Sequence, residues 1–376
     1  MTSRRSGSSR SDGAPAADSE VADEPALLIA VPPGTSERVH LSDSRIWVTV
    51  AITVVLLGVF FARLDIGNLR SELRAANYGW VAAAIMANFV SQWFRAVRHH
   101  FLLLPTRSLP IKVLLGAIIV GSAINNVLPL RGGSVARVQL LAKRYDISRS
   151  TLAATLTAEM VLDTLVISIF LVIGISILHL GPLLGWLATF VLLVSLFSLL
   201  GVWFLSRAAR KGVASVESAL AFFSEKTRKA LAAGILSFEQ GWQAFWRAHH
   251  AVPLLLASAG VWLSESVSFW FFGLAVGLDL SFLSYVTLVA LADIATSLTL
   301  TPAGLGAFEL SVSELLRQLG ASSAVAGAYV VLSHAVLTVS MMAVAPLAFV
   351  LLRVRPGDLL YLRREPAQAT ASPVQT

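Results

Sequence analysis

Long apolar runs alternate with short polar breaks between Ile46 and Leu352, and the length of each run decides its role. A helix rises about 1.5 Å per residue, so crossing the ~30 Å hydrocarbon core of a bilayer takes about 20 apolar residues. Six runs read as spans: Ile46–Ala62, Trp80–Leu104, Ser150–Leu178, Leu183–Leu205, Pro253–Val276 and Val325–Leu352. The first of these is short but continuous. Val113–Ile124 is too short to cross alone and ends at Asn125-Asn126-Val127-Leu128-Pro129-Leu130-Arg131-Gly132-Gly133. A helix reaching Asn125 is expected to stop there, because Pro129 cannot continue it and Gly132 and Gly133 follow. A short basic helix, Ser134–Asp146 with Arg137, Lys143 and Arg144, leads back from this break.

The run Phe282–Leu300 meets a second break of the same character, Thr301-Pro302-Ala303-Gly304-Leu305-Gly306, and Phe308–Leu319 leaves it. Backbone groups freed at such breaks are tolerated in a bilayer only where protein or a wet cavity receives them. Broken segments at corresponding positions of two halves point to a transporter-like site. An ordinary interfacial loop is the other reading of the first break. The fold expected is an all-α polytopic membrane protein with six spanning helices and two re-entrant helical hairpins. Each hairpin lies between two spans, in units of opposite orientation, which makes the halves inverted repeats.

The polar stretches complete this layout. Residues 1–44 are rich in Ser, Pro, Ala, Gly and acid without periodicity, and are expected to be a disordered tail. Their apolar stretch is too short for a secretory signal peptide. Asp65–Asn77 reads as an amphipathic connector, 206–250 as a basic, mainly helical cytoplasmic segment, and 354–376 as a second disordered tail, leaving 45–353 as the membrane domain. With both hairpins re-entrant and both termini cytoplasmic, 25 of the 29 Lys and Arg lie inside, three lie outside (Arg63, Arg70, Arg74) and Arg317 lies within the second hairpin. The positive-inside rule favours this arrangement over full spans at both breaks. An N-terminus-out chain with only the second hairpin re-entrant is the rival topology.

Composition agrees with the pattern. Hydrophobic residues make up 56% of the 376 and charged residues 14%, and mean hydropathy is +0.74, values outside the range of soluble domains. The net charge of +7 then reports orientation, and no nucleic-acid partner is expected. Zero Cys excludes a disulfide framework, a thiol nucleophile and a Cys-based metal site. No Walker sequence is present, and Gly304-Leu305-Gly306 follows no Rossmann-type strand, so no nucleotide cofactor is expected. The adjacent pairs His99-His100 and His249-His250 do not have the spacing of a helical zinc pair, and no metal site is expected. His334 reads as a packing or hydrogen-bonding residue.

Charges inside spans are costly and usually face a cavity or a partner. Arg95 and Arg98 share a helix face and either snorkel to the interface or contact a lipid phosphate. Glu159 and Asp163, four apart on one face, need a cation nearby, for which Arg131 and Arg137 are candidates. The cluster is either an ion-pair clamp for the hairpin or a polar cleft in which arginine forks grip a lipid phosphate. In the second case Asn125 and Asn126 contact the rest of the head group. Glu265 and Asp293 are candidates for a proton relay, and Glu309 either caps a half-helix or joins the site.

Together these residues carry a resemblance. Asn126-x-x-Pro129-x-Arg131-x-Gly133, Arg137, Glu159-x-x-x-Asp163 and Pro302-x-Gly304-x-Gly306-x-x-Glu309 resemble the lysylphosphatidylglycerol synthase transmembrane family, whose membrane region is a flippase-like domain. The resemblance runs from about Ile46 to Leu352. Two positions depart from the family pattern: Ser134 stands where an acid is usual, and Ala303 where a glycine is usual. With no aminoacyl-transferase domain in the chain, the resemblance is to stand-alone members. It implies a flippase or transporter of a phospholipid or polyprenyl-phosphate-linked lipid in the cell inner membrane, serving envelope biogenesis, and not an enzyme. The expected partners are lipids with anionic or phosphate head groups, with a second copy of the chain or an envelope-biosynthesis enzyme as protein partner. A membrane transferase acting on a lipid phosphate, and an accessory subunit of envelope assembly, are the alternatives.

Overall fold

The computed structural model describes residues 44–62, 66–128, 132–210, 248–299 and 301–352, with single positions at 218, 221, 224, 225 and 228. The two expected tails, Pro129, Arg131 and most of the 206–250 segment lie outside the described residues. All regular structure among the described residues is helical, as the apolar pattern requires. In chain order the helices are α1 (Ser44–Ala62), α2 (Ile66–Ala75), α3 (Tyr78–Leu103), α4 (Ile111–Val127), α5 (Gly132–Tyr145) and α6 (Arg149–Leu178). They continue as α7 (Gly181–Arg210), α8 (Ala248–Ala275), α9 (Phe282–Leu298), a 3-10 turn (Pro302–Gly304), α10 (Ala307–Gln318) and α11 (Ser323–Leu351).

Among the described residues, three helical stretches are long and apolar enough to cross a membrane: Thr151–Leu178, Val252–Ala275 and Ser323–Leu351. The pair α1–α2, bent by 86°, makes a fourth if counted as one span. This supports a multi-pass membrane protein and a coarser layout than the six spans read from the sequence. Helix α3 has 26 residues, enough length, but Asn88, Gln92, Arg95, Arg98 and His99-His100 dilute its apolar character. Those are the residues that make it the polar partner of the site. Helix α7 is 30 residues long, and among the described residues Leu184–Ser198 within it is an apolar stretch.

Helix starts follow side-chain chemistry. Asn77, Ser148, Ser281 and Ser322 each accept a hydrogen bond from a backbone N–H of the turn they open, at 2.9, 3.1, 3.4 and 3.3 Å. Two boundaries differ from the sequence reading. Helix α4 does not stop at Asn125 but runs through Asn126 to Val127, so both amides sit in its last turn. Asparagine weakens a helix only slightly, whereas the residue before a proline is pushed into extended backbone. Leu128 has that conformation, with φ −96° and ψ 135°. Helix α8 begins at Ala248, five residues before the Pro253 expected to open it, and contains that proline.

The two breaks fold differently. At the first, α5 doubles back on α4 through glycine: a Cβ at Gly133 would lie 1.9 Å from the carbonyl oxygen of Gly121, so only glycine permits this approach. Gly132 opens α5. At the second, the 3-10 turn joins α9 to α10, with Ala303, Gly304 and Gly306 at φ 53°, 72° and 88°. Gly304 and Gly306 suit that left-handed backbone; Ala303 adopts it at a steric cost.

The apolar interior has two parts. One gathers Trp262, Phe269 and Phe272 of α8, Tyr285 of α9, Phe308 of α10 and Tyr329 of α11. The other gathers Leu103, Leu114, Ile118, Leu141 and Leu152 with Leu352, and so ties hairpin α4–α5 to α3, α6 and the end of α11. Helix α3 packs along α8, α6 packs on α7 and α9, and α11 packs on both α4 and α10.

Candidate functional site

The polar groups that the pattern places inside apolar helices converge between α3, α4, α5, α6 and α8. From α3, Arg98 is buried, with 1% of its side chain exposed. It donates from both terminal nitrogens to Asp163 of α6, Nη1 to Oδ1 at 2.5 Å and Nη2 to Oδ2 at 2.9 Å. The Trp262 indole N–H of α8 donates to the same Oδ1 at 2.8 Å, and Arg98 also reaches Ser258 Oγ at 3.4 Å. One turn earlier, Arg95 Nη2 donates to Glu265 Oε1 of α8 at 2.6 Å, while its Nη1 stands 3.8 Å from Asp163 Oδ2. Ser91 Oγ also donates to Glu265 Oε1, at 3.0 Å, and the Arg95 guanidinium lies 5.2 Å from the centre of the Trp262 ring. Arg95 and Arg98 therefore do not snorkel; the acids of α6 and α8 hold them inside.

Glu159, one turn before Asp163 on α6, has partners of its own. Arg137 of α5 donates to its Oε2 at 2.5 Å, and His99 Nδ1 of α3 lies 2.6 Å from its Oε1. Of the two cations named from the sequence for Glu159 and Asp163, Arg131 lies outside the described residues and Arg137 pairs with Glu159. Asp163 takes Arg98 from α3. The cluster alternates in sign, and each buried carboxylate faces a guanidinium, which offsets much of the desolvation penalty of both. Three buried polar atoms in this region, Arg98 Nε, His99 Nε2 and Gln92 Oε1, have no hydrogen-bond partner among the described residues.

A cavity of about 280 Å³ opens beside this network. Its wall includes Arg95, Arg98, Arg137, Glu159 and Asp163, hence three cations against two anions. Gly133 and Ser134, in the first turn of α5, also line it, and a helix N-terminus carries partial positive charge. The Gly133 N–H donates to Asn125 Oδ1 at 2.8 Å, so Asn125 fixes the hairpin as well as lining the cavity.

A second cavity of about 230 Å³ lies on the far side of the Arg95–Glu265 bridge, with Asn126, Glu265 and Asp293 in its wall. Arg95 lines the first cavity and Glu265 the second, so this ion pair forms part of the partition between them. The adjacent residues Asn125 and Asn126 are likewise divided, one to each cavity. Asp293 Oδ2 accepts from Ser297 Oγ at 3.4 Å.

Glu309 lines neither cavity. It caps α10, accepting from the Gly306 N–H at 2.6 Å, and its other oxygen lies 2.6 Å from His334 Nδ1. His334 Nε2 lies 3.2 Å from the Ala303 carbonyl oxygen, so Glu309, Pro302, Gly304 and Gly306 belong to the architecture of the second break, and His334, which also lines the second cavity, joins the two. The sequence reading missed Trp262, Ser91 and Ser258, and it set His99 aside. No local spacing reveals them, because Arg95 meets Glu265 across 170 residues of chain.

Among the described residues no group of three or more His, Cys, Asp or Glu is placed to hold a metal ion. The arrangement suits recognition of a phosphate. A guanidinium has five N–H donors, and Arg95 and Arg137 each give one nitrogen to a carboxylate, so donors remain for a phosphate oxygen. Asp163, Glu265 and Glu159 balance the three guanidiniums, so the remaining N–H donors and the N-terminus of α5 are what favour an anion, and apolar Ile118, Leu156 and Met160 border the same space.

Residues 46–345 match the family described as the lysylphosphatidylglycerol synthase TM region. A UPF0104 membrane protein of Methanothermobacter thermautotrophicus is 25% identical over 308 residues, covering 76% of this chain and 89% of that protein. Glycosyltransferase AglD of Haloferax volcanii is 27% identical over 322 residues, covering 76% of this chain and 51% of AglD. No solved structure matches the chain significantly.

Proposed function

We propose a lipid-handling role for this chain, which belongs to the lysylphosphatidylglycerol synthase transmembrane region family: it binds the phosphate of a membrane lipid in the arginine-lined cavity and carries it across the bilayer. The observation that carries this reading is the cavity wall, where Arg95, Arg98 and Arg137 face one space beside the N-terminus of α5. A lipid would enter head first from the membrane, its phosphate on the guanidinium groups and its tails in the hydrocarbon. Phospholipids and polyprenyl-phosphate-linked lipids of the cell envelope share the chemistry required. The ion pairs to Asp163, Glu265 and Glu159 hold the forks in place before the phosphate arrives, which reduces the ordering that binding requires.

The proposed topology is the one read from the distribution of basic residues: six spans, two re-entrant hairpins in inverted repeats, and both termini cytoplasmic in the inner membrane. The hairpins α4–α5 and α9–α10 would then be the moving parts around a fixed site, as discontinuous helices are in secondary transporters. A second reading is a transferase acting on a lipid phosphate, favoured by the name of the relative AglD. The matched region is about half of AglD, so the activity in that name need not reside in it.

The test is a reconstituted translocation assay. The full chain is placed in liposomes containing tail-labelled phosphatidylglycerol or polyprenyl phosphate, and transfer between leaflets is followed by quenching of the outer leaflet. Transfer above that of protein-free liposomes is expected, with Arg95→Lys and Arg137→Lys slower, since lysine keeps the charge but loses the planar fork. Absence of transfer for every phosphate lipid, or both variants at the parent rate, would overturn the proposal. Covalent change of the lipid in the presence of a donor would favour the transferase.

A further inference from the structure

We infer that the second cavity is a subsite for a hydroxyl-rich head group, so that the lipid handled is a glycosyl phosphate lipid, with its phosphate in the first cavity and its sugar in the second. This rests on the phosphate reading of the first cavity and deepens it by naming the head group.

Asn88, Asn126, Thr296 and the carboxylates of Glu265 and Asp293 supply donors and acceptors around one space of about 230 Å³. Amides and hydroxyls both donate and accept, whereas a carboxylate only accepts. A ligand matched to such a mixture must itself do both, which hydroxyl groups do. An ammonium group only donates and leaves the amide N–H groups unanswered. The charges point the same way. Glu265 is already matched by Arg95 at 2.6 Å, so the wall does not present two bare anions to a cation. Phe269 and Phe308, both nearly buried, close one side with an apolar surface suited to the C–H face of a sugar ring.

Position supports the same assignment. The partition between the cavities includes the Arg95–Glu265 bridge, and Arg95 is also a candidate phosphate ligand. A phosphate that draws Arg95 toward the first cavity leaves Glu265 an acceptor for the first sugar hydroxyl beyond it. Asn125 and Asn126, consecutive in the last turn of α4, put one amide on each side of the partition. A sugar bonded directly to the phosphate is therefore placed to meet the second wall.

The experiment compares four lipids binding to the full chain in nanodiscs: a polyprenol, the polyprenyl phosphate, a hexosyl-phosphoryl polyprenol of the same chain length, and an aminoacylated phosphatidylglycerol. The hexosyl lipid is expected to bind about 10-fold tighter than the bare phosphate, the equivalent of one hydrogen bond to a charged group. Asp293→Asn and the near-isosteric Thr296→Val should bring that ratio close to one. Thr296→Val serves as the check if Asp293→Asn fails to fold. A parent ratio of one, or a ratio unchanged in both variants, overturns the sugar subsite. So does a gain for the aminoacylated lipid without one for the hexosyl lipid. If the polyprenol binds as tightly as its phosphate, the phosphate reading falls and the sugar subsite falls with it. A gain for phosphate without a gain for sugar leaves the first reading standing and overturns only this one.

Discussion

If the network beside the first cavity is a set of charge clamps, its members must be strongly coupled, and Arg98–Asp163 is the pair to measure. Arg98→Met leaves the Asp163 carboxylate with the Trp262 N–H and with Arg95 at 3.8 Å. Asp163→Leu leaves a guanidinium at 1% exposure with Ser258 at 3.4 Å. Breaking a buried pair by removing one partner costs about 3–5 kcal/mol, because the other charge is stranded. The Asp163 variant should be the worse of the two, since Asp163 has a second cation nearby and Arg98 loses its bidentate acid. The double variant removes both charges and strands only the Trp262 N–H, a loss of about 1 kcal/mol. It should therefore be more stable than the sum of the singles by about 5–9 kcal/mol, the two single losses of about 3–5 kcal/mol each less the roughly 1 kcal/mol of the double. Neutral side-chain hydrogen bonds between membrane helices average only about 0.6 kcal/mol, so a coupling of that size identifies a charge pair. Equilibrium unfolding in mixed micelles, titrated with a denaturing detergent, gives all four stabilities. Additivity within about 0.5 kcal/mol would refute the clamp.

Four further outcomes follow from particular residues. Ala303→Gly relieves a left-handed backbone worth about 1–2 kcal/mol, against an added chain entropy of about 0.5–1 kcal/mol, so it should raise stability by about 0.5–1 kcal/mol in the same unfolding assay. Gly133→Ala puts a Cβ 1.9 Å from the Gly121 carbonyl oxygen and should lower stability by about 1–3 kcal/mol or more as α5 moves off α4. Glu309→Ala removes both the cap of α10 and the partner of His334, a loss of about 2–3 kcal/mol, whereas Glu309→Gln keeps an acceptor for the Gly306 N–H and should lose less than about 1 kcal/mol. Ser134→Asp restores a negative charge to the wall of the first cavity, and titration with a lipid phosphate should show affinity falling about 10-fold, the effect of about 1.4 kcal/mol.

Much of the architecture was legible because apolar periodicity and backbone breakers are local. Every helix that the runs imply is present, and both breaks fall within a few residues of their expected places. The misplaced boundaries have local causes as well: Asn125 and Asn126 are helix-tolerant, and Pro253 sits early enough in α8 to be accommodated. The candidate site was legible in its members but not in its pairings. An arginine inside a span announces a partner, yet nothing in the order of residues says that Arg98 takes Asp163 and Arg95 takes Glu265. Those choices depend on how α3 lies against α6 and α8, which is set by the packing of apolar faces far apart in sequence. Ala303 shows the reverse case. The family pattern usually has glycine there, and the left-handed backbone at that residue supplies the physical reason.

Two lipids that differ only in the phosphate show whether the first cavity binds that group through its arginines. Phosphatidic acid and diacylglycerol with identical chains are titrated into the full chain in nanodiscs. One well-placed charge-assisted contact of about 2 kcal/mol corresponds to about 30-fold tighter binding of the phosphate-bearing lipid. That preference should shrink severalfold in Arg95→Lys and Arg137→Lys, which keep the charge but lose the fork. Equal affinity of the two lipids for the parent protein would mean that the arginines of the first cavity do not bind the lipid phosphate.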